Sequence, residues 1–451
     1  MKLFGTNGVR GIANKEMTAD MALALGKSLG TYMQRHQTGG RVAVGRDTRI
    51  SGEMLESAAI AGLLSTGLEV TDVGVLPTPA LQYYVRSYAD AGVMITASHN
   101  PREYNGLKII AGDGTEFSRS GEAEVETIYF SEQFHAAEWD QTGSFSRDST
   151  TLRTYMDAIT SLVDVDAIRN AGLTIVVDPG CGASCEVTPL LLRELGCKVI
   201  TLNAQPDGTF PGRAPEPTKD VLTDLMNMVR SSGADLGVAH DGDADRVAFV
   251  DETGEFLDEE DLLAIMAGHV LSHNKGKVVT PVSSSLRIKD VTESMGGELI
   301  WTAVGSIDVA RKMIETGAVF GGEGNGGLIF PEFQYCRDGA MTAARMLEIL
   351  AGGKKLSELK SGIPEYHNIK TKIQCSNLDE VVQKVATALN EQDQNVDDTD
   401  GLKVWYPDGW ILIRPSGTEP IIRIYAESKS SKRARELMEY GSDMVEKCNT
   451  D

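Results

Sequence analysis

Three times along the chain a short apolar run gives way to a polar or glycine-rich loop, then a helical stretch, a glycine and a second apolar run. The copies are "RVAVGRDTRISGEMLESAAIAGLLSTGLEVTDVG" (41–74), "TIVVDPGCGASCEVTPLLLRELGCKVITLN" (174–203) and "KVVTPVSSSLRIKDVTESMGGELIWTAVG" (277–305). Each predicts a strand–helix–strand unit, which favours parallel pairing with a right-handed crossover. The likeness is of pattern more than of residues. The C-terminal part differs. "GWILIRP" and "PIIRIYAES" are strand-like runs joined by "SGTE", and an amphipathic helix over roughly 430–447 closes the chain. Domain boundaries follow from where the units start and stop: 1–155, 156–255, 256–366 and 367–451. The expected fold is α/β, with three similar mixed domains and a smaller C-terminal α+β domain.

Charge narrows the function. The 451 residues carry 43 basic and 65 acidic side chains, a formal net charge of -22. That excludes a general nucleic-acid or anionic-membrane binder, because phosphate backbones select for basic surface. A local basic pocket for a small anion remains compatible with it. The six cysteines are too sparse for a disulfide scaffold and none forms Cys-x-x-Cys, so reduced thiols and a cytoplasmic location are expected. The N-terminus "MKLFGTNGVRG" has no apolar signal core, and no 18-residue apolar run predicts a membrane span.

The metal signal is "HDGDADRVAFVDE" (240–252), where Asp241, Asp243 and Asp245 alternate. Three carboxylates this close repel one another unless a cation sits among them. Oxygen-only ligands point to Mg²⁺ before Zn²⁺. An EF-hand is the rival, with Glu252 at its twelfth position. However, its sixth position requires glycine and holds Arg246, and the flanks read as strands. Arg246 is suited either to pairing with the carboxylates or to holding a phosphate that the metal also binds.

Further on, "RPSGTEP" (414–420) with Arg423 offers hydroxyls from Ser416 and Thr418, backbone N–H groups around Gly417, and the cations Arg414 and Arg423. The stretch reads equally as a phosphate grip or as a tight hairpin turn. "GGEGNGGLIFP" (321–331) places glycines around Glu323 and Asn325, whose carboxylate and amide can bond neighbouring hydroxyls. Alone it reads as a flexible loop. In "TASHNPREYNGLK" (96–108) the Asn-Pro and Asn-Gly turn signals place Ser98 exposed on a loop, with His99 and Lys108 as proton donors or cationic partners.

Together "TASHNP", "DGDADR", "GEGNGG" and "RPSGTEP" resemble, in order and spacing, the four loops of the α-D-phosphohexomutase superfamily. The opening "FGTNGVRG" (4–11) is similar to the phosphoglucosamine mutase branch. The sugar loop departs from the bacterial form, Gly-Glu-Gln-Ser-Gly-His. Asn325 stands at the serine position and Gly327 at the histidine, as in archaeal members.

The resemblance implies four domains around a central cleft. It also implies interconversion of glucosamine 6-phosphate and glucosamine 1-phosphate through a 1,6-bisphosphate. Ser98 would carry the phosphoryl group, and one Mg²⁺ would sit on Ser98, Asp241, Asp243 and Asp245. Arg10 and Arg246 would stabilise charge. Lys108, or His99, would handle the proton, with Lys108 depressed by neighbouring cations. Glu323 and Asn325 would hold sugar hydroxyls. Arg414, Ser416, Gly417, Thr418 and Arg423 would grip the distal phosphate. The partners would be small sugar phosphates, with a monomeric or homodimeric enzyme. The alternatives are a phosphomannomutase/phosphoglucomutase of the same superfamily, a Mg²⁺-dependent sugar phosphatase, and a non-catalytic sugar-phosphate sensor.

Overall fold

Each of the three repeated patterns forms the unit it predicts. Strand Arg41–Arg46, helix Gly52–Ser65 and strand Glu69–Val75 make the first, with the strands parallel. Thr174–Asp178, Thr188–Glu194 and Lys198–Thr201 make the second. Lys277–Pro281, Leu286–Ser294 and Glu298–Thr302 make the third. The structure is a computed structural model and describes residues 3–5, 7–391, 394–416 and 419–450. It divides into two compact units, residues 1–259 with 325–360 and residues 260–324 with 361–451.

The first unit holds two sheets. The six-stranded one runs Val9–Ile12, Tyr104–Ala111, Ala91–Ile95, Arg41–Arg46, Glu69–Val75, Phe145–Arg147. Its middle is parallel, and its first two strands are antiparallel additions. The central strand Ala91–Ile95 is buried throughout, which accounts for its unbroken apolar run. Its core includes Val42, Val44, Leu55, Leu63, Val93 and Ile95. Fully burying such side chains stabilises by roughly 1.5–3 kcal/mol each. The Asn-Gly signal at 105–106 marks no turn, because both residues lie inside strand Tyr104–Ala111. Gly106 is needed there for close approach: a β-carbon would meet the Val9 carbonyl oxygen at 2.4 Å and that of Thr96 at 2.8 Å. The second sheet pairs Leu236–His240 with Val247–Val250 as an antiparallel hairpin beside Thr174–Asp178.

In the second unit Glu298–Thr302, Lys277–Pro281 and Phe320–Glu323 pair in parallel. A five-stranded antiparallel sheet orders His367–Gln374, Ile421–Ser428, Gly409–Pro415, Leu402–Tyr406 and Val396–Asp397. Helix Ser431–Thr450 packs on it. Among the described residues no helix is long and apolar enough to cross a membrane.

Candidate active site

Ser98 is not exposed as its turn signals suggest: its relative exposure is 0%. It follows the buried strand Ala91–Ile95 and adopts φ +51°. A left-handed backbone costs a non-glycine residue roughly 1–2 kcal/mol, so its neighbours must hold it there. Arg49 does so. From a fully buried position it donates to the carbonyls of Ser98 (2.8 Å), Asn100 (2.7 Å), Pro101 (2.7 Å) and Tyr104 (2.8 Å). Hydrogen bonds from a charged donor contribute about 1.5–3 kcal/mol each, enough to outweigh the strain. Arg49 Nε pairs in turn with Asp47 at 3.0 Å. Thr96 donates to Asp47 at 2.6 Å and accepts the Ser98 N–H at 2.8 Å. Arg10 adds bonds to the Ala97 carbonyl (3.2 Å) and Asn100 Oδ1 (2.7 Å). Asp47 and Arg49 escaped the sequence reading. The only signal was the polar loop of the first repeat, which looked like a connection.

The Ser98 hydroxyl donates to Asp241 Oδ2 at 2.8 Å. Asp241, Asp243 and Asp245 occupy the turn of the hairpin, all buried, with their ligand oxygens within 4.8 Å of one another. Ala244 between them has φ +56°, a second strained residue at the same centre. His240 braces this turn. Burial holds its ring neutral, down to about 4. Because the Arg246 carbonyl only accepts, Nδ1 carries the proton to it at 3.0 Å, and Nε2 accepts from Thr188 at 2.9 Å.

Lys108 sits 2% exposed with its ammonium 2.7 Å from Asp243 and 3.4 Å from Asp245. Burial alone would lower its pKa, but the two carboxylates more than offset that and the net direction is up. The expected depression by cations is therefore not what surrounds it: Arg10 and Arg337 pull downward but count for less. Burial pushes Asp241 up to about 8, with Asp243 and Asp245 adding to it. For Asp243 burial is outweighed by Lys108 and Thr78, and the carboxyl lies below its ordinary range. His99 is pushed down to about 3 by burial, then by Arg246 and Arg10. Arg246 lies with Nε 3.9 Å from Asp245 Oδ1. The oxygen-only donor set fits a hard divalent cation, and Asp243 Oδ1 and Asp245 Oδ1 are buried without a hydrogen-bond partner.

Asn325 and Gly327 belong to the same unit, and Asn325 Oδ1 accepts the Gly327 N–H at 3.1 Å. Glu323, Arg414, Ser416 and Arg423 belong to the second unit. Glu323 ends strand Phe320–Glu323 and is 7% exposed. Arg414 pairs with Asp400 at 2.9 Å, and Asp400 also accepts the Val304 N–H at 2.8 Å. Arg423 pairs with Glu419 at 3.1 Å. Ser416 Oγ accepts the Glu419 N–H at 3.3 Å. Gly417 and Thr418 lie outside the described residues. Register places Arg414 directly opposite Arg423, and Arg423 opposite Lys372. Of the three cations in this row, Arg414 and Arg423 are each offset by a carboxylate, Asp400 and Glu419.

Four domain profiles of phosphoglucomutase/phosphomannomutase match the chain. They are alpha/beta/alpha domains I (1–136), II (153–254) and III (258–366) and the C-terminal domain (371–441). The chain belongs to the phosphoglucomutase/phosphomannomutase family. Members of this family are phosphosugar mutases, which are isomerases. A Thermococcus kodakarensis relative called phosphoglucomutase/phosphomannomutase is 47% identical over 99% of this chain and 98% of its own. A Methanopyrus kandleri relative called a probable phosphoglucosamine mutase is 46% identical over 99% and 98%. Among solved structures, a phosphoglucomutase/phosphomannomutase family protein from Burkholderia thailandensis superposes with a TM-score of 0.90 at 29% identity, covering 99% of this chain and 97% of that one. A phosphosugar mutase must hold a dianionic phosphoryl group. Three cations stand at this centre: buried Lys108, half-buried Arg10 on the Ala97 carbonyl and Asn100, and half-buried Arg246 beside Asp245.

Proposed function

We propose that this mutase interconverts glucosamine 6-phosphate and glucosamine 1-phosphate, with Ser98 as the phosphoryl carrier and a 1,6-bisphosphate intermediate. The observation that carries the reading is the Ser98 hydroxyl at 2.8 Å from Asp241 within a buried carboxylate triad. Asp241, Asp243, Asp245 and an oxygen on phosphorylated Ser98 would hold Mg²⁺, which when bound neutralises charge on the phosphoryl group. Arg10 and Arg246 stabilise the same charge. Lys108 moves the proton between the sugar hydroxyl and Ser98 Oγ, with His99 as the weaker candidate. In transfer to the sugar the Ser98 O–P bond breaks and the new O–P bond forms at the sugar hydroxyl. The hydroxyl proton ends on Ser98. Glu323 and Asn325 orient the sugar. Arg414, Ser416, Gly417, Thr418 and Arg423 take the non-reacting phosphate. The acidic surface and the free thiols suit a cytoplasmic enzyme working on small sugar phosphates as a monomer or homodimer.

The name of the Thermococcus relative favours a second reading, in which glucose or mannose phosphates are the substrates. Turnover of glucosamine 6-phosphate, glucose 1-phosphate and mannose 1-phosphate with a bisphosphate activator present separates the two. Ser98→Ala is expected to lower turnover by several orders of magnitude with the fold intact, and near-normal isomerisation by it would sink the phosphoserine proposal. Release of free phosphate in place of an isomer would instead mark a phosphatase.

A further inference from the structure

Asp241 accepts at both oxygens, from Ser98 Oγ at Oδ2 (2.8 Å) and from the Arg246 N–H at Oδ1 (3.3 Å), whereas Asp243 and Asp245 each accept at one oxygen only. Asp243 Oδ2 accepts from Lys108 at 2.7 Å and from Thr78 at 2.6 Å. Asp245 Oδ2 accepts from Arg337 at 2.5 Å, its shorter contact, and from Lys108 at 3.4 Å. The opposite oxygens, Oδ1 of both residues, are the buried ones without a hydrogen-bond partner. We infer that Arg337 is a positioning residue for the cation site: by tying down Asp245 Oδ2 it turns Oδ1 toward the ion. This rests on the reading of the triad as a divalent-cation site.

Arg337 is itself held from several sides. It is 5% exposed and pairs with Glu116 at 3.8 Å. Glu116 accepts from Asn7 of the opening motif. A chain of contacts, Asn7–Glu116–Arg337–Asp245, thus links the first strand region to a metal ligand. Gly327 completes the arrangement. A β-carbon there would meet Arg337 Cδ at 2.3 Å, too close for both to stay in place. The glycine in the sugar loop is what leaves room for the arginine.

An arginine beside a metal ligand has two opposite effects. Its charge repels the ion and competes for the carboxylate, while its hydrogen bond orients that carboxylate. The sign of the change on removing it decides which prevails. Partners that orient metal ligands typically contribute ten- to hundredfold in affinity. Mn²⁺ titration followed by the EPR signal of the free ion reads this without any turnover. Arg337→Gln is expected to weaken Mn²⁺ binding by about ten- to hundredfold. Arg337→Lys should recover part of the loss, since it restores charge without the planar fork. Gly327→Ala, which keeps the arginine but displaces it, and Glu116→Gln, which loosens it, should weaken binding by smaller factors. These two decide the matter if Arg337→Gln does not fold. Unchanged or tighter Mn²⁺ binding in the folded variants overturns the inference alone. A wild-type protein with no Mn²⁺ affinity overturns the cation reading, and this inference with it.

Discussion

Two lysines in this protein are buried to the same degree and meet opposite fates. Lys108, in the first unit, is 2% exposed, and Lys403, in the second, is 0% exposed. Lys108 faces Asp243 and Asp245. Lys403 faces the rings of Trp405 (3.8 Å), Trp410 (3.9 Å) and Trp301 (4.7 Å), and donates to the Val282 carbonyl. Burial lowers both. Two carboxylates reverse that for Lys108. Ring faces, one carbonyl and the charges of Glu427, Asp397 and Glu260, none of them in an ion pair with it, do not, and Lys403 falls to about 7. Desolvation penalises both ammonium groups, and carboxylates in direct contact with the ammonium are what reverse it. Lys108 is therefore a charge kept in the interior by Asp243 and Asp245. Lys403 is a core side chain that ring faces and one carbonyl leave close to neutrality.

The comparison breaks most visibly at Lys108. Lys108→Met should cut isomerisation by about 10²–10⁴-fold, the range of a positioned proton-transfer group, measured as kcat on the preferred sugar phosphate. Loss of less than tenfold would remove Lys108 from the proton path. Lys403→Met should leave kcat unmoved and alter stability instead.

The direction of that stability change follows from linkage. Unfolded Lys403 titrates near 10.5 and the folded residue near about 7. Below both values each state holds the proton and the penalty for burying the ammonium is complete. Between them the unfolded chain holds the proton and the folded chain has released it, so folding gains as pH rises. Above both the penalty is gone. Urea unfolding across that window should show wild type gaining on Lys403→Met as pH rises, and parallel curves would refute the assignment. The smallest effect concerns His99, lowered to about 3 in the unphosphorylated enzyme. Its ring should stay neutral from about pH 5 to about pH 8 by NMR, and His99→Asn should cost far less activity than Lys108→Met. A ring titrating near its ordinary value would contradict the burial and cationic neighbours that depress it.

The repeated strand–helix–strand pattern was legible because an apolar run closed by a loop, a helix and a glycine has one favoured crossover. Asp241, Asp243 and Asp245 were legible because alternating acids in a turn make little sense without a cation. Ser98 was found through its motif, but its turn signals misled about exposure. Asn-Pro describes the local chain and says nothing of what packs over it.

What the sequence determined by itself was therefore the repeated strand–helix–strand units and the family's four loops, since these depend on neighbours along the chain. Only the tertiary structure decided which residues hold those loops in working geometry. Arg49 beneath Ser98, and Thr78 and Arg337 behind the triad, come from distant segments. Their roles depend on burial and the direction of single hydrogen bonds. The same contacts decided the charge of each buried lysine, because a pKa is set by what surrounds the group in space.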